Sequence, residues 1–161
     1  MAGRRNPTTL TLPSDRELVI TRVFDAPREL VFEAWTRAEH VRHWYGLRRM
    51  TLVVCEIDLR VGGRWRFVVR DPEDGNDYGF TGVYREIVPP ERLVYTEGFE
   101  GLPGHEALTT LTFAEQEGKT ALTIRLLYRS AEDRDTQLRL GMEPGMRETL
   151  DRLAEHLATL A

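Results

Sequence analysis

Along residues 17–25, Leu18, Ile20 and Phe24 share one parity, Arg22 interrupts it, and Val19 and Val23 occupy the other. A run of period two, rich in β-branched residues and apolar on more than one side, predicts a strand. Asp25-Ala26-Pro27 stops it, with Asp25 placed as a helix N-cap and Pro27 in the first turn, where no amide donor is needed. Leu30, Val31, Ala34 and Trp35 follow at helical spacing, and residues 36–44 read as a second short helix ended by Tyr45-Gly46. From there the period returns to two. Residues 50–59 place Val53, Cys55, Ile57 and Leu59 on one parity. Residues 64–70 alternate Trp65, Phe67 and Val69 against Arg64, Arg66 and Arg70.

Four more strands follow, over residues 78–88, 92–99, 107–113 and 120–128. They are separated by Pro89-Pro90, a Gly/Pro-containing loop at 100–104 and a polar turn at 115–119. Ser130 is an N-cap candidate with Asp133 three residues on, close to a capping box, and opens a short helix that breaks near Gly141. The last segment carries Met146, Leu150, Leu153, Leu157 and Leu160 in one stripe, a helix expected over residues 143–160. Short turns make consecutive strands antiparallel. Such a sheet must cover an apolar face, and the long amphipathic helix is the element able to do it. The expected class is α+β: a curved seven-stranded antiparallel sheet around the C-terminal helix, with two short helices after the first strand. One helix cannot fill the concavity of so long a sheet, so a cavity is expected.

Composition narrows the function more than the fold. At 161 residues the chain suits one domain, read as a loose tail over residues 1–14 and a folded unit over 15–161. The net charge of −4 gives polyanion binding a poor start, and no nucleic-acid partner is expected. A lone Cys55 excludes an internal disulfide and a Cys-x-x-Cys zinc site, and points to the cytoplasm. The N-terminal segment has neither a secretory signal nor a membrane anchor, and the longest apolar run, residues 52–55, is too short to span a bilayer.

Several local motifs carry a resemblance. Phe24-Asp25-Ala26-Pro27 with Val31-Phe32-Glu33-Ala34-Trp35-Thr36 looks like the first strand and helix of the START-like superfamily, whose fold is the helix-grip. Trp44-Tyr45-Gly46 and Asp58-Leu59-Arg60-Val61-Gly62-Gly63-Arg64-Trp65 resemble the family of the activator of heat-shock protein 90 ATPase, its C-terminal-domain-like bacterial members. Gly82-Val83-Tyr84, the stretch from Pro89 through Thr96, and Gly141-Met142-Glu143-Pro144-Gly145 extend the match. Leu47 departs from it, standing where members often carry proline. The resemblance implies a helix-grip fold and, as one functional alternative, a stress-related accessory to a chaperone. The activator's own N-terminal domain has no counterpart here.

The candidate chemistry is sparse. Asp58, Arg60, Gly62 and Gly63 form a structural turn, not a phosphate loop, since no Lys-Ser/Thr and no helix follow them. His40 and His43 lie one helical turn apart without a third close ligand, and His156 falls on the polar side of the last helix, so no metal and no cofactor are expected. No serine or cysteine sits in a nucleophile elbow, and few titratable residues share the aromatic parity. The aromatics are the informative group. Trp44, Trp65, Phe67, Phe80, Tyr95 and Phe113 fall on parities that point to the concave side, with Tyr84 and His105 as polar members and Met142, Met146 and Leu150 facing them from the helix. They define a ligand pocket for a small hydrophobic molecule. A cyclase-like or hydrolytic cavity enzyme is the remaining alternative. The chain is expected as a monomer or weak dimer.

Overall fold

The computed structural model describes residues 6–160. In chain order the elements are β1 (Thr9–Thr11), β2 (Glu17–Phe24), α1 (Arg28–Thr36), α2 (Ala38–Trp44), β3 (Thr51–Ile57), β4 (Arg64–Arg70), β5 (Asp77–Val88), β6 (Arg92–Phe99), β7 (Ala107–Gln116), β8 (Lys119–Leu127), α3 (Ala131–Arg139) and α4 (Met142–Thr159). The strands form one antiparallel sheet in the order β1-β2-β8-β7-β6-β5-β4-β3. The class and the helix-grip arrangement are as expected; the strand count is eight, not seven. The additional strand is β1, in the segment read as a tail. It is three residues long and pairs Thr9 with Thr21 and Thr11 with Val19 on the edge of β2. So short a strand has no alternation to detect.

Two boundaries differ from expectation for capping reasons. The N-cap of α1 is Pro27, extended at φ −66° and ψ 150°, with no side-chain cap, so Asp25 does not cap the helix. Asp25 instead faces Lys119 across 3.3 Å. Helix α4 begins at Met142, one residue early, because Gly141 at φ 90° supplies the left-handed N-cap. The Ser130 cap of α3 does form: its Oγ accepts from the Asp133 amide at 3.0 Å.

The core lies between the sheet and the helices. Leu150, Leu153 and Leu157 of α4 are buried with Leu18, Ile20 and Phe24 of β2, Leu111 and Phe113 of β7, and Leu122, Ile124 and Leu126 of β8. Steps of three and four along α4 and of two along the strands make these faces meet. Burying so many large aliphatic side chains, each worth roughly 1.5–3 kcal/mol, supplies most of the driving force. Arg22 interrupts β2 as its sequence suggested, but it is buried at 4% exposure. It reaches Asp151 of α4 and Thr8, so the break in the apolar pattern becomes a tie between helix and sheet.

Three histidines meet where α2 packs on α4. His40 Nδ1 lies 2.9 Å from His156 Nε2, and the His43 ring stacks on His156 at 4.9 Å. Burial, then His43 and His40, hold His156 below its ordinary pKa. Among the described residues, no group of three or more His, Cys, Asp or Glu side chains is arranged to hold a metal. None of their helices is long and apolar enough to cross a membrane.

A candidate ligand cavity between sheet and helix

The cavity sits under the open end of the grip. Its walls are Trp35 of α1, Val41 and Trp44 of α2, Tyr45, Trp65 and Phe67 of β4, Tyr84 of β5, Leu93, Tyr95 and Glu97 of β6, Ile124 of β8, and Met146 and Thr149 of α4. Space open to the centres of water-sized molecules amounts to about 60 Å³, and the void with its mouth, open solvent included, to about 620 Å³. The first figure holds on the order of two to four waters. An occupant of that volume has to be small, unless Met146, unbranched and adaptable, moves to admit a larger one.

Each wall follows from a local reason. Alternation turns Trp65 and Phe67 inward and leaves Arg64, Arg66 and Arg70 exposed. Trp65 lies opposite Gly82 across β4 and β5. A Cβ on Gly82 would stand 1.6 Å from the Thr96 carbonyl oxygen and 2.6 Å from Trp65 Nε1. The missing side chain lets the indole donate to Thr96 O at 3.2 Å. The β5–β6 pairing runs through Thr81↔Gly98 and resumes at Tyr84↔Tyr95. Between them the Val83 amide donates to Thr96 Oγ1 at 2.9 Å.

The turn before β4 positions Tyr84. Gly62, at φ 86°, donates its amide to Tyr84 O at 2.8 Å, and Gly63 O accepts from the Tyr84 amide at 2.9 Å. Gly63 is the tighter position, since a Cβ there would meet Asp58 O at 2.1 Å. Arg60 Nε donates to Asp58 Oδ2 at 2.9 Å across the outside of the turn, an exposed pair worth little by itself. Tyr45 is held from the other side. Arg152 of α4 donates to the carbonyls of Tyr45 at 3.2 Å and Gly46 at 2.9 Å, and to that of His43 at 3.2 Å, in the last turn of α2, where helix carbonyls lack intrahelical partners.

The rings pack at edges. Trp35 meets Trp44 at 4.7 Å, Tyr45 meets Phe67 at 4.8 Å, and Trp65 meets Phe67 at 4.9 Å and Tyr95 at 5.6 Å. Trp44 donates its Nε1 to Ala34 O at 3.0 Å. The Trp35 indole nitrogen is buried without a partner among the described residues. Burial raises the phenols of Tyr45 and Tyr95 well above the ordinary range, with Glu97 adding to both.

Among the described residues, Glu97 is the one acid in the wall. It is only partly accessible, and protein surrounds its carboxyl. The Thr109 hydroxyl donates to its Oε1 at 3.1 Å. Burial raises its pKa above 4.5, and the Thr109 bond opposes that shift. A carboxyl raised on folding binds more protons folded than unfolded, so its contribution to stability falls as pH climbs from about 4.5 through the folded value. Glu97→Gln is therefore expected to be more stable than the parent at pH 8 and to lose that advantage by pH 4. Urea unfolding at both pH values measures it; an advantage that does not shrink on acidification contradicts the assignment.

Of the pocket residues read from sequence, Trp44, Trp65, Phe67, Tyr84, Tyr95 and Met146 line this cavity. The other five do not. His105 sits outside, half-exposed, with Nδ1 2.7 Å from Asp133 Oδ1. Phe113 has the right parity but packs against Phe32 at 5.3 Å, under α1. Phe80 pairs with Phe99 at 5.3 Å, beyond the cavity. Leu150 is buried deeper in the core, and Met142 packs against that core at the start of α4. Parity assigns a face of a strand and not a position along it. Sequence reading missed Trp35, Val41, Tyr45, Leu93, Glu97, Ile124 and Thr149. A signal existed for Glu97: Leu93-x-Tyr95-x-Glu97 places all three on one face. Cys55 is partly buried, 3.9 Å from Ala38 O, and burial raises its thiol pKa, the opposite of an activated nucleophile.

Comparison with known proteins agrees with this architecture. A solved protein from Rhodobacter sphaeroides is 29% identical, covers 96% of this chain and 99% of its own, and superposes with a TM-score of 0.87. One from Chromobacterium violaceum is 28% identical over 89% of this chain and 98% of its own, with a TM-score of 0.76. A protein from Silicibacter pomeroyi is similar in fold, with a TM-score of 0.72 at 24% identity over 90% of this chain and 99% of its own. No curated protein sequence matches. The model of the family described as Activator of Hsp90 ATPase homolog 1-like protein matches residues 25–158, nearly the whole folded unit, and the chain belongs to that family.

Proposed function

We propose that this protein binds a small hydrophobic molecule in the cavity between the sheet and α4. The observation that carries the reading is the wall itself: Trp35, Trp44, Tyr45, Trp65, Phe67, Tyr84 and Tyr95 surround one space, with few polar groups among them. Catalysis has less support. Among the described residues, Glu97 has no second carboxylate and no histidine beside it in the wall, so a paired carboxylate or histidine acid and base has no support there.

The test fills the space. Met146→Trp is expected to cost under about 1 kcal/mol, below the 1–3 kcal/mol that overpacking a filled core costs, and to abolish uptake of an apolar fluorescent probe. Urea unfolding and probe titration measure the two effects. A loss at the top of that range, with no uptake by the unmutated protein, ends the binding proposal. It would favour the second reading, a chaperone accessory acting through its surface, which the family description supports. The ATPase rate of the chaperone with and without this protein tests that reading directly.

A further inference from the structure

The cavity is not uniformly apolar, and among the described residues its one charged group stands without a counter-ion in the wall. Glu97 faces in from β6, and neither lysine, arginine nor histidine lines the space with it. Its hydrogen bond comes from a neutral hydroxyl, that of Thr109 on β7. Structural carboxylates elsewhere in the chain are paired with a cation: Glu100 with Arg66 at 2.7 Å, Asp77 with Arg70 at 2.7 Å, Asp71 with Arg49 at 2.9 Å. In each of these pairs the arginine is about half-exposed, and Asp71 shows that a buried carboxylate here has its cation. An acid partly withdrawn from water among aromatic rings, with no cation beside it, carries a desolvation cost that a cation entering the cavity offsets.

The ring system adds the second half of the argument. The Trp65, Phe67, Tyr45, Tyr84 and Tyr95 rings pack at 4.8–6.2 Å centroid spacings along the strands that carry Glu97 and their neighbours. Aromatic faces attract cations through their quadrupoles, more strongly where water is excluded. The phenol oxygens of Tyr45, Tyr84 and Tyr95 accept hydrogen bonds as well as donate them. A carboxylate and several ring faces around one space form the complement of an ammonium group on an apolar body.

Resting on the binding reading above, we propose that the ligand class is a small hydrophobic amine, its ammonium group on Glu97 and its apolar body against Trp65, Phe67 and Met146. The amine supplies the cation that the wall lacks. A charge-assisted hydrogen bond is among the stronger single contacts available, so the charged ligand is preferred over a neutral molecule of the same shape.

Benzylamine, an ammonium ion at neutral pH, and benzyl alcohol, its neutral counterpart, are the probes. Each is titrated into the protein at pH 7 and followed by calorimetry and tryptophan fluorescence. Benzylamine is expected to bind at least about tenfold more tightly than benzyl alcohol. In Glu97→Gln that preference is expected to disappear. Equal affinities in the unmutated protein, which require no variant to fold, overturn the proposal, as does a preference that survives Glu97→Gln. If benzyl alcohol or the apolar fluorescent probe enters without any preference for the amine, the amine assignment fails and the hydrophobic-binding reading stands. If neither probe nor amine enters, both fail.

Discussion

Trp44→Ala is expected to cost about 3–5 kcal/mol, the range for removing a buried aromatic side chain. Trp44 is 1% exposed and belongs to the core cluster that joins α1, α2 and the sheet. Truncation opens a void and also strands the Ala34 carbonyl, one of the last acceptors of α1, which takes its hydrogen bond from the indole at 3.0 Å. Trp44→Phe separates the two contributions. It keeps most of the buried area and loses the bond, so its cost should be nearer 1–2 kcal/mol, the price of an unsatisfied buried carbonyl. Urea unfolding with an unchanged m-value measures both. Because Trp44 lines the cavity, the alanine variant should also take up more of an apolar probe than the parent. A loss below about 1 kcal/mol for the alanine variant means that the neighbourhood collapses onto the gap and that the wall is soft.

Gly82→Ala is the second large effect, about 3 kcal/mol, the upper end of what overpacking costs. The added methyl would lie 1.6 Å from Thr96 O, a backbone atom held in β6, and 2.6 Å from Trp65 Nε1. Neither a rotamer change nor a small shift relieves a contact with backbone. The indole loses its bond to Thr96 O and swings out, taking one wall of the cavity with it. The Trp65 indole proton resonance should therefore shift, and probe uptake should fall. Gly62→Ala is the control. It has φ 86° and nothing within 4 Å of an added Cβ, so it should cost only the 1–2 kcal/mol of left-handed strain and leave the Trp65 resonance in place. If Gly82→Ala costs no more than Gly62→Ala, close packing at Gly82 does not define this wall.

Much of the architecture was legible from period and punctuation. Period two across six consecutive segments, short turns between them, and one amphipathic helix leave few arrangements open. That a sheet gripping a helix resulted follows from the need to cover one apolar face. Trp65 and Phe67 could be placed on the inner face because Arg64, Arg66 and Arg70 alternate with them, and a row of three charged side chains is left to solvent even where a single one, such as Arg22, is turned inward. Strand β1 was illegible because three residues carry no period. The loss of Asp25 as a cap came from Pro27, which takes the cap position with its own extended backbone.

Local sequence thus decided the elements and their inner faces, since alternation and helical spacing are properties of a single segment. Location along each face was decided only in three dimensions. Phe113 and Phe80 share the inward parity of Tyr84 and Tyr95, yet Phe32 covers one and Phe99 the other, partners distant in sequence. His105 found Asp133 instead of the cavity because a loop and a helix N-terminus met outside the grip. Glu97 shows the same division most clearly. Its parity with Tyr95 can be read from the chain, but not the absence of a cation beside it. That required β4, β5, β6, β8 and α4 to bring their side chains to one place, and a counter-ion is a property of the assembled surroundings and not of the strand that carries the charge.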